Sequence, residues 1–172
     1  YLQPVIATYI DELESGLRLV APNASLGLNQ SSGGLMSLGR ARDLPVRTTL
    51  SGPAAGVAGA AHIAGIVGQQ DVITLDMGGT SADVALIREG IVPVAFGRDV
   101  SGFPIRMPMI DVETVGAGGG SIAWIDRDGL LKVGPASTGA DPGPACYSLG
   151  GEQPTVTAAN VILGRLSEGG LL

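Results

Sequence analysis

Asp76-Met77-Gly78-Gly79-Thr80-Ser81 concentrates in one short run the groups that gripping a phosphate requires. Two glycines let backbone N–H groups approach an anion closely. Thr80 and Ser81 add hydroxyl donors for phosphate oxygens. Asp76, and Asp83 shortly after it, would repel a phosphate directly. They become useful if a Mg2+ lies between carboxylate and phosphate, commonly through water. The spacing leaves a second reading open, a tight hairpin whose Asp and Gly residues only favour the turn. The run is not a P-loop, which needs a Lys and a following helix.

Gly116-Ala117-Gly118-Gly119-Gly120-Ser121 is a second place where backbone must pass close to something, either a nucleotide base or ribose or another segment of the same chain. Asp111, Glu113 and Asp141 have side chains able to bind a metal or act as a general base, and equally read as exposed loop carboxylates. His62 has no Cys or acidic partner near it in sequence, so a structural role is expected. Cys146, in Pro144-Ala145-Cys146-Tyr147, has no evident base beside it and is also expected to be structural.

Elements must hold these groups in place. Pro4 to Leu19 has Val5, Tyr9, Leu13 and Leu17 at helical spacing. Leu26 to Asn29 is a short strand candidate, Gln30 to Gly34 a turn, and Leu35 to Ala41 a second helix candidate. Thr48 to Leu50 leads into a helix that Ser51 or Gly52 would cap, with Pro53 in the first turn, running to about Val67 and ended by Gly68. Its small residues permit close packing on a neighbour. Val72 to Leu75 reads as a buried strand ending in Asp76. Ser81 to Ile87 alternates as a second strand, and Ile91 to Ala95 follows as a third, so three antiparallel strands are expected. Ser121 to Ile125 and Leu130 to Val133 form a hairpin around Arg127-Asp128-Gly129. Gly134 to Gly151 is a long Gly/Pro-rich loop of the kind that is functional or mobile. Thr157 is expected to cap a last helix, Ala158 to Leu166.

The bulk numbers exclude several classes. A formal net charge of −6, with no dense Lys/Arg cluster, argues against a nucleic-acid partner. The single Cys excludes an intrachain disulfide and fits a reducing compartment, so a cytoplasmic location is expected. Tyr1 to Ile10 lacks a basic start and a cleavage site, and Pro53 to Gly68 is too short to span a bilayer, so no membrane association is expected. Aromatics are only 3%, so the core must come from Ala, Val, Ile and Leu. The start at Tyr1 without Met reads as an excised piece or a processed product. The 172 residues suit a single domain or subdomain, 1–172, of a longer polypeptide.

Ser51-Gly52-Pro53-Ala54-Ala55-Gly56, then Asp76 to Asp83, then Gly116 to Ser121, then Gly134-Pro135, Pro142-Gly143-Pro144-Ala145-Cys146-Tyr147 and Pro154-Thr155-Val156-Thr157 occur in this order. Together they resemble the hydantoinase A/5-oxoprolinase family, which includes N-methylhydantoinase and the acetone and acetophenone carboxylase subunits. The resemblance covers nearly the whole chain. It implies an α/β half-domain of the actin-like ATPase (ribonuclease H-like) fold, with a mixed sheet flanked by helices. Two such halves would clamp ATP and Mg2+ between them. Asp76 to Ser81 matches the second phosphate motif of that fold. The first belongs to an N-terminal half, and no second Asp-Gly-Gly-Thr run occurs here.

That resemblance implies Asp76 and Asp83 as catalytic residues and Asp76 as metal ligand. It implies Gly78, Gly79, Thr80, Ser81, Gly116, Gly118, Gly119, Gly120 and Ser121 as nucleotide contacts. ATP would phosphorylate an amide or carbonyl oxygen and so make it a good leaving group. The first expectation is ATP-dependent hydrolysis of a cyclic amide such as a hydantoin or 5-oxoproline, by a fragment inactive alone. The second is part of a ketone carboxylase subunit. A different class is a non-catalytic assembly module that keeps the fold. The expected partners are the missing N-terminal half or a partner subunit and the cyclic amide substrate, in an enzyme that is oligomeric when complete. Three residues depart from the family pattern: Ala82 where Thr is common, Ser32 where Asn is usual, and Ala158 where Asp commonly follows Thr157.

Overall fold

The computed structural model describes residues 2–100 and 102–167. The chain divides into two units, one made of residues up to 74 with 85–112, the other of 75–84 with the residues from 113 onward. Helices and short strands alternate through both, so the protein is of mixed α/β type. Its described strands form one three-stranded sheet and four two-stranded ones, where one mixed sheet was expected.

In the first unit, α1 (Leu2–Val20) packs on α2 (Leu38–Asp43). The helical period is as the sequence indicates, but the buried face is displaced. Val5 and Tyr9 are exposed, and Ile10 is buried with Ile6 beside it. Met36, Leu38 and Ala41 complete that cluster. The Arg42 guanidinium reaches back from α2 to Asp11 and Glu14 at 2.7 Å each. Its hydrogen bond holds the Glu14 carboxyl below its ordinary range. The segment expected to be helical over Leu35 to Ala41 instead starts as a strand. β1 (Leu28–Asn29) pairs antiparallel with β2 (Leu35–Met36) around the glycine turn. Ser37 then accepts from the Arg40 N–H and starts α2 afresh, which is what an N-cap serine does.

α3 (Ser51–Ile66) carries the small-residue run. Neither Ser51 nor Gly52 caps it. Leu50 takes the cap position in a left-handed conformation, φ 57°, without a side-chain bond, and Ser51 is already helical. Gly68 closes the helix with a positive φ of 74°, its N–H bonding to Gly65 and the next N–H to Ala64. The absence of bulk lets Ala54 and Val57 sit in a core with Ala85, Ile87, Ile110 and Val112.

β3 (Val72–Met77) and β4 (Ala82–Ile87) run on from this unit into the second, where β9 (Glu113–Val115) joins β4. Between them, β5 (Val94–Ala95) pairs with β8 (Met109–Ile110), and β6 (Arg98–Val100) with β7 (Phe103–Ile105). The third strand of the sheet is therefore Glu113–Val115 and not Ile91 to Ala95. Arg88 and Ile91 meet only as an isolated bridge about Glu89-Gly90, and the chain leaves the sheet there. β3 is also not a buried strand. Val72 packs against the core, but Ile73 and Leu75 are 71% and 64% exposed. An apolar run says that a strand can be buried on both faces; it does not supply the second layer.

The second unit contains the hairpin β10 (Ser121–Ile125) and β11 (Leu131–Ser137), with a register shift between Ser121 and Ala123. β11 extends four residues past the expected Val133, so the irregular loop is shorter than anticipated. α4 (Val156–Ile162) closes the unit. Thr155, not Thr157, is its cap, accepting from the Ala158 N–H at 3.2 Å. Thr157 lies inside the helix and is buried.

Candidate functional site

All of the expected nucleotide contacts lie in the second unit. The Gly78 N–H donates to the Ser81 carbonyl at 2.9 Å and closes the turn between β3 and β4. Counting back from that bond sets Asp76 opposite Asp83. Further along the pair, Thr74 Oγ1 accepts from the Ala85 N–H at 3.1 Å. In the next strand Asp83 is in register with Thr114, whose hydroxyl donates to Asp83 Oδ1 at 2.6 Å. Asp76, Asp83 and Thr114 thus form a row across three strands, adjoining the turn. Two facing carboxylates disfavour one another in a sheet, and a cation between them removes the conflict. Thr114 was not legible as part of the site, because three residues of strand in β9 are too few to show alternation.

The second glycine run lies directly on the turn. The N–H of Gly118 donates to Thr80 O at 3.3 Å and to Ser121 Oγ at 2.8 Å. Gly119 donates to Gly78 O at 2.8 Å and Gly120 to Gly79 O at 2.6 Å. A Cβ on Gly118 would stand 2.6 Å from Ser81 N and from Thr80 C, and one on Gly119 would stand 2.6 Å from Thr157 Oγ1. Such separations leave no room for a methyl group, so Gly118 permits backbone to lie on backbone and Gly119 makes room for the Thr157 hydroxyl. Of the two readings open for this run, contact with another chain segment accounts for Gly118, Gly119 and Gly120 and for their three N–H groups. Ser121 is buried and its hydroxyl serves the loop itself. Gly116 lies against Gly134, where a Cβ would collide with the Gly116 carbonyl.

Gly78 and Gly79 behave differently. Neither has a left-handed φ. A Cβ on Gly79 would meet nothing within 4 Å, and one on Gly78 would meet only Ser81 O at an ordinary 3.6 Å. Nothing within the described chain requires glycine at either position. The residues from Asp76 to Thr80 are exposed, and no described residue accepts from the N–H of Gly79 or Thr80. The carbonyls of Gly78, Gly79 and Thr80 accept from the clamp.

The other candidates are scattered. Among the described residues no group of three or more His, Cys, Asp or Glu could hold a metal. Asp111 is exposed in the first unit, and Asp141 in the second is exposed beside a cis Asp141–Pro142 bond. Glu113 pairs in register with Val84. His62 is exposed on α3, and Cys146 is half-buried in a 3-10 turn, Ala145–Tyr147.

Residues 1–172 match the family model described as Hydantoinase/oxoprolinase. The chain belongs to this family. It is 44% identical to the caprolactamase subunit alpha of Pseudomonas jessenii, over 100% of this chain and 25% of the relative. It is 42% identical to the 5-oxoprolinase of Saccharomyces cerevisiae, covering 96% of this chain and 13% of that protein. The acetophenone carboxylase gamma subunit of Aromatoleum aromaticum is 46% identical over 70% of this chain and 17% of its own length. The crystal structure of the ATP-dependent caprolactamase from Pseudomonas jessenii superposes with a TM-score of 0.78 at 42% identity, covering 100% of this chain and 25% of that one. Nucleotide-free acetone carboxylase gives 0.74 at 30% identity, covering 92% and 22%. The chain spans about a quarter or less of each of these proteins. No helix among the described residues is long and apolar enough to cross a membrane.

Proposed function

We propose that this chain supplies the phosphate-gripping turn of an ATP-dependent enzyme that hydrolyses a cyclic amide, and that it does so as one half-domain of an actin-like ATPase fold. The observation that carries the reading is the contrast between the two glycine runs. Gly118 to Gly120 are explained by packing within the chain, whereas Gly78 and Gly79 are not. Glycine that the fold does not need fits a surface on which a ligand must lie close to the backbone.

The donor set fits a polyphosphate. The Gly79 and Thr80 amides and the Thr80 and Ser81 hydroxyls can donate to phosphate oxygens. Asp76 and Asp83, facing each other beside the turn, would hold Mg2+, an ion commonly bound by one or two carboxylates with water and phosphate completing its shell. ATP would supply a phosphoryl group to the amide oxygen, which opens the amide carbon to water; the ring C–N bond then breaks with a proton passing to nitrogen, and the acyl phosphate left behind loses phosphate to a second water. This chain's residues contribute position and charge neutralisation. The backbone donors are fixed by the clamp from Gly118 to Gly120, so they need not reorganise as charge develops. Thr114 orients Asp83 towards the same task. Opposing phosphate donors would come from the remainder of the polypeptide or a partner subunit, so the segment alone should be inactive. The similarity to acetophenone and acetone carboxylases supports a second reading, in which the activated oxygen belongs to a ketone.

The test uses the complete protein and measures phosphate release from ATP with Mg2+. Release that depends on a hydantoin, 5-oxoproline or caprolactam, with matching ring opening, is the expected result. Release that depends on a ketone with bicarbonate would move the assignment to carboxylation. Failure to bind either ATP or inorganic tripolyphosphate would reject the phosphate turn.

A further inference from the structure

The clamp glycines are themselves held, by two threonines that the expected nucleotide contacts do not include. The Thr157 N–H donates to Gly119 O at 2.8 Å. The Thr138 N–H donates to Gly120 O at 2.9 Å, and the Thr138 hydroxyl reaches the same oxygen at 3.3 Å. Gly119 and Gly120 in turn donate to Gly78 O and Gly79 O, at 2.8 and 2.6 Å. Two parallel hydrogen-bond chains result, Thr157–Gly119–Gly78 and Thr138–Gly120–Gly79, and both lie wholly in the second unit. We propose that Thr138 and Thr157 are positioning residues for the phosphate donors, each aiming one amide of the turn. The inference rests on the phosphate reading above.

Peptide geometry carries the argument. A peptide group is planar and trans, so its N–H points opposite to its C=O. The Gly78 carbonyl shares a peptide group with the Gly79 N–H, and the Gly79 carbonyl with the Thr80 N–H. Carbonyls held against the clamp therefore turn these two N–H groups away from it. Gly79 and Thr80 are exposed, and neither N–H has an acceptor among the described residues. Successive amides in a turn form a concave anion site. The chain from Thr157 thus sets the direction of the Gly79 N–H, and the chain from Thr138 that of the Thr80 N–H. A hydrogen bond accepted at a carbonyl also polarises its peptide group and strengthens the N–H on the other side.

The two side chains act differently. The Thr138 hydroxyl gives Gly120 O a second donor, so that carbonyl is held from two atoms of one residue. Thr157 works by shape. It is buried, and its Oγ1 stands 2.6 Å from the point where a Cβ on Gly119 would be. The side chain fills the notch that Gly119 leaves, so Gly119 cannot shift towards α4 in a close-packed interior. Both arms therefore hold the turn's donors in place before a phosphate arrives, and donors fixed in advance need not reorganise as charge develops.

The test uses the complete protein with Mg2+. It records the amide 15N and 1H resonances of Gly79 and Thr80, and equilibrium binding of inorganic tripolyphosphate. Thr138→Val keeps the shape and the N–H but removes the hydroxyl. It is expected to shift the Thr80 amide, leave the Gly79 amide in place, and weaken tripolyphosphate about two- to tenfold, the range of one hydrogen bond. Thr138→Ser should restore both. Gly119→Ala crowds Thr157 Oγ1 and should shift the Gly79 amide and weaken tripolyphosphate roughly tenfold or more. Adding Thr157→Ala removes that oxygen, leaves Gly78 O at 3.7 Å and the Cβ at position 157 at 4.0 Å as the nearest atoms, and should recover most of the affinity. A role in stability alone would move both amides together or neither. If Gly119→Ala does not fold, the two Thr138 variants decide. Unmoved amides with native affinity in Thr138→Val, or no recovery in the double variant, would overturn the positioning roles while leaving the phosphate turn in place. A native protein that binds no tripolyphosphate would overturn both.

Discussion

Adding one methyl group at Gly79 and, separately, at Gly118 tests whether the two glycine runs have different purposes. At Gly118 the new Cβ would stand 2.6 Å from Ser81 N and Thr80 C and 2.7 Å from Gly78 O. These are backbone atoms and cannot rotate aside. Either the loop or the turn must move, and the N–H bonds from Gly118, Gly119 and Gly120 to the turn lengthen with it. Overpacking of this kind costs ~1–3 kcal/mol, and each weakened hydrogen bond adds ~0.5–1.5 kcal/mol. Gly118→Ala should therefore lose at least ~2 kcal/mol of stability. At Gly79 the Cβ meets nothing within 4 Å, and the backbone conformation suits an L-residue. Gly79→Ala should keep its stability or gain ~0.4–1 kcal/mol from reduced freedom of the unfolded chain. A methyl group on the outer surface of the turn should nonetheless lift a phosphate from its amide donors and weaken ATP and tripolyphosphate roughly tenfold or more. Denaturant unfolding and equilibrium binding on the same preparations give both readings. A Gly79→Ala protein that binds nucleotide normally would refute the argument that an external ligand explains this glycine. A Gly118→Ala protein of native stability would refute the clamp.

Asp76→Asn should abolish ATP cleavage in the complete enzyme. It should also leave the hairpin slightly more stable, by ~0.2–1 kcal/mol, because a charge facing Asp83 is removed; paired unfolding and phosphate-release measurements check this, and normal turnover would return Asp76 to a turn-forming role. Thr155→Ala removes the acceptor for the Ala158 N–H and should cost ~0.5–2 kcal/mol in α4, seen as faster hydrogen exchange over 156–162, whereas Thr157→Ser should not affect the cap. The Glu14 carboxyl is held low by its hydrogen bond to Arg42. Its folded pKa lies below the unfolded one, so its small contribution to stability is present above the ordinary carboxylate range and is lost as pH falls through the folded value. Arg42→Gln should raise the Glu14 pKa in an NMR titration, and an unmoved Glu14 would show that the pairing does not persist in solution.

The two long helices and the central hairpin were legible because they are governed by local rules, whereas the short α2 was expected three residues early, over a segment that starts as β2. α3 carries Pro53 in its first turn and Gly68 just past its end, residues whose backbone geometry favours helix starts and stops in any context. β4 alternates, and alternation survives whatever strand lies beside it. Elements set by two or three residues were not legible. β2 and β9 carry too short a pattern, and Glu113–Val115 was chosen as the third strand over Ile91 to Ala95 by the path of the chain after Gly90. Caps were misplaced by one or two residues at α3 and α4, because Ser51, Thr155 and Thr157 all have plausible side chains and only helix geometry decides which one meets an orphan N–H.

The same division runs through the candidate site. The sequence alone determined that glycines, hydroxyls and a carboxylate occur together from Asp76 to Ser81, and that a second glycine run exists. It also carried the family, since motif order along a chain is a one-dimensional property. It could not determine what each glycine is for. Glycine is required by a positive φ, by a neighbouring backbone or by a ligand, and all three look alike in sequence. Tertiary structure separated them by placing Gly118 to Gly120 within contact of the turn and leaving Gly79 facing open space. It also brought Thr114 to Asp83 from a distant stretch of chain. Such pairings depend on which strands become neighbours, and that is settled by packing of the whole unit rather than by the residues on either side.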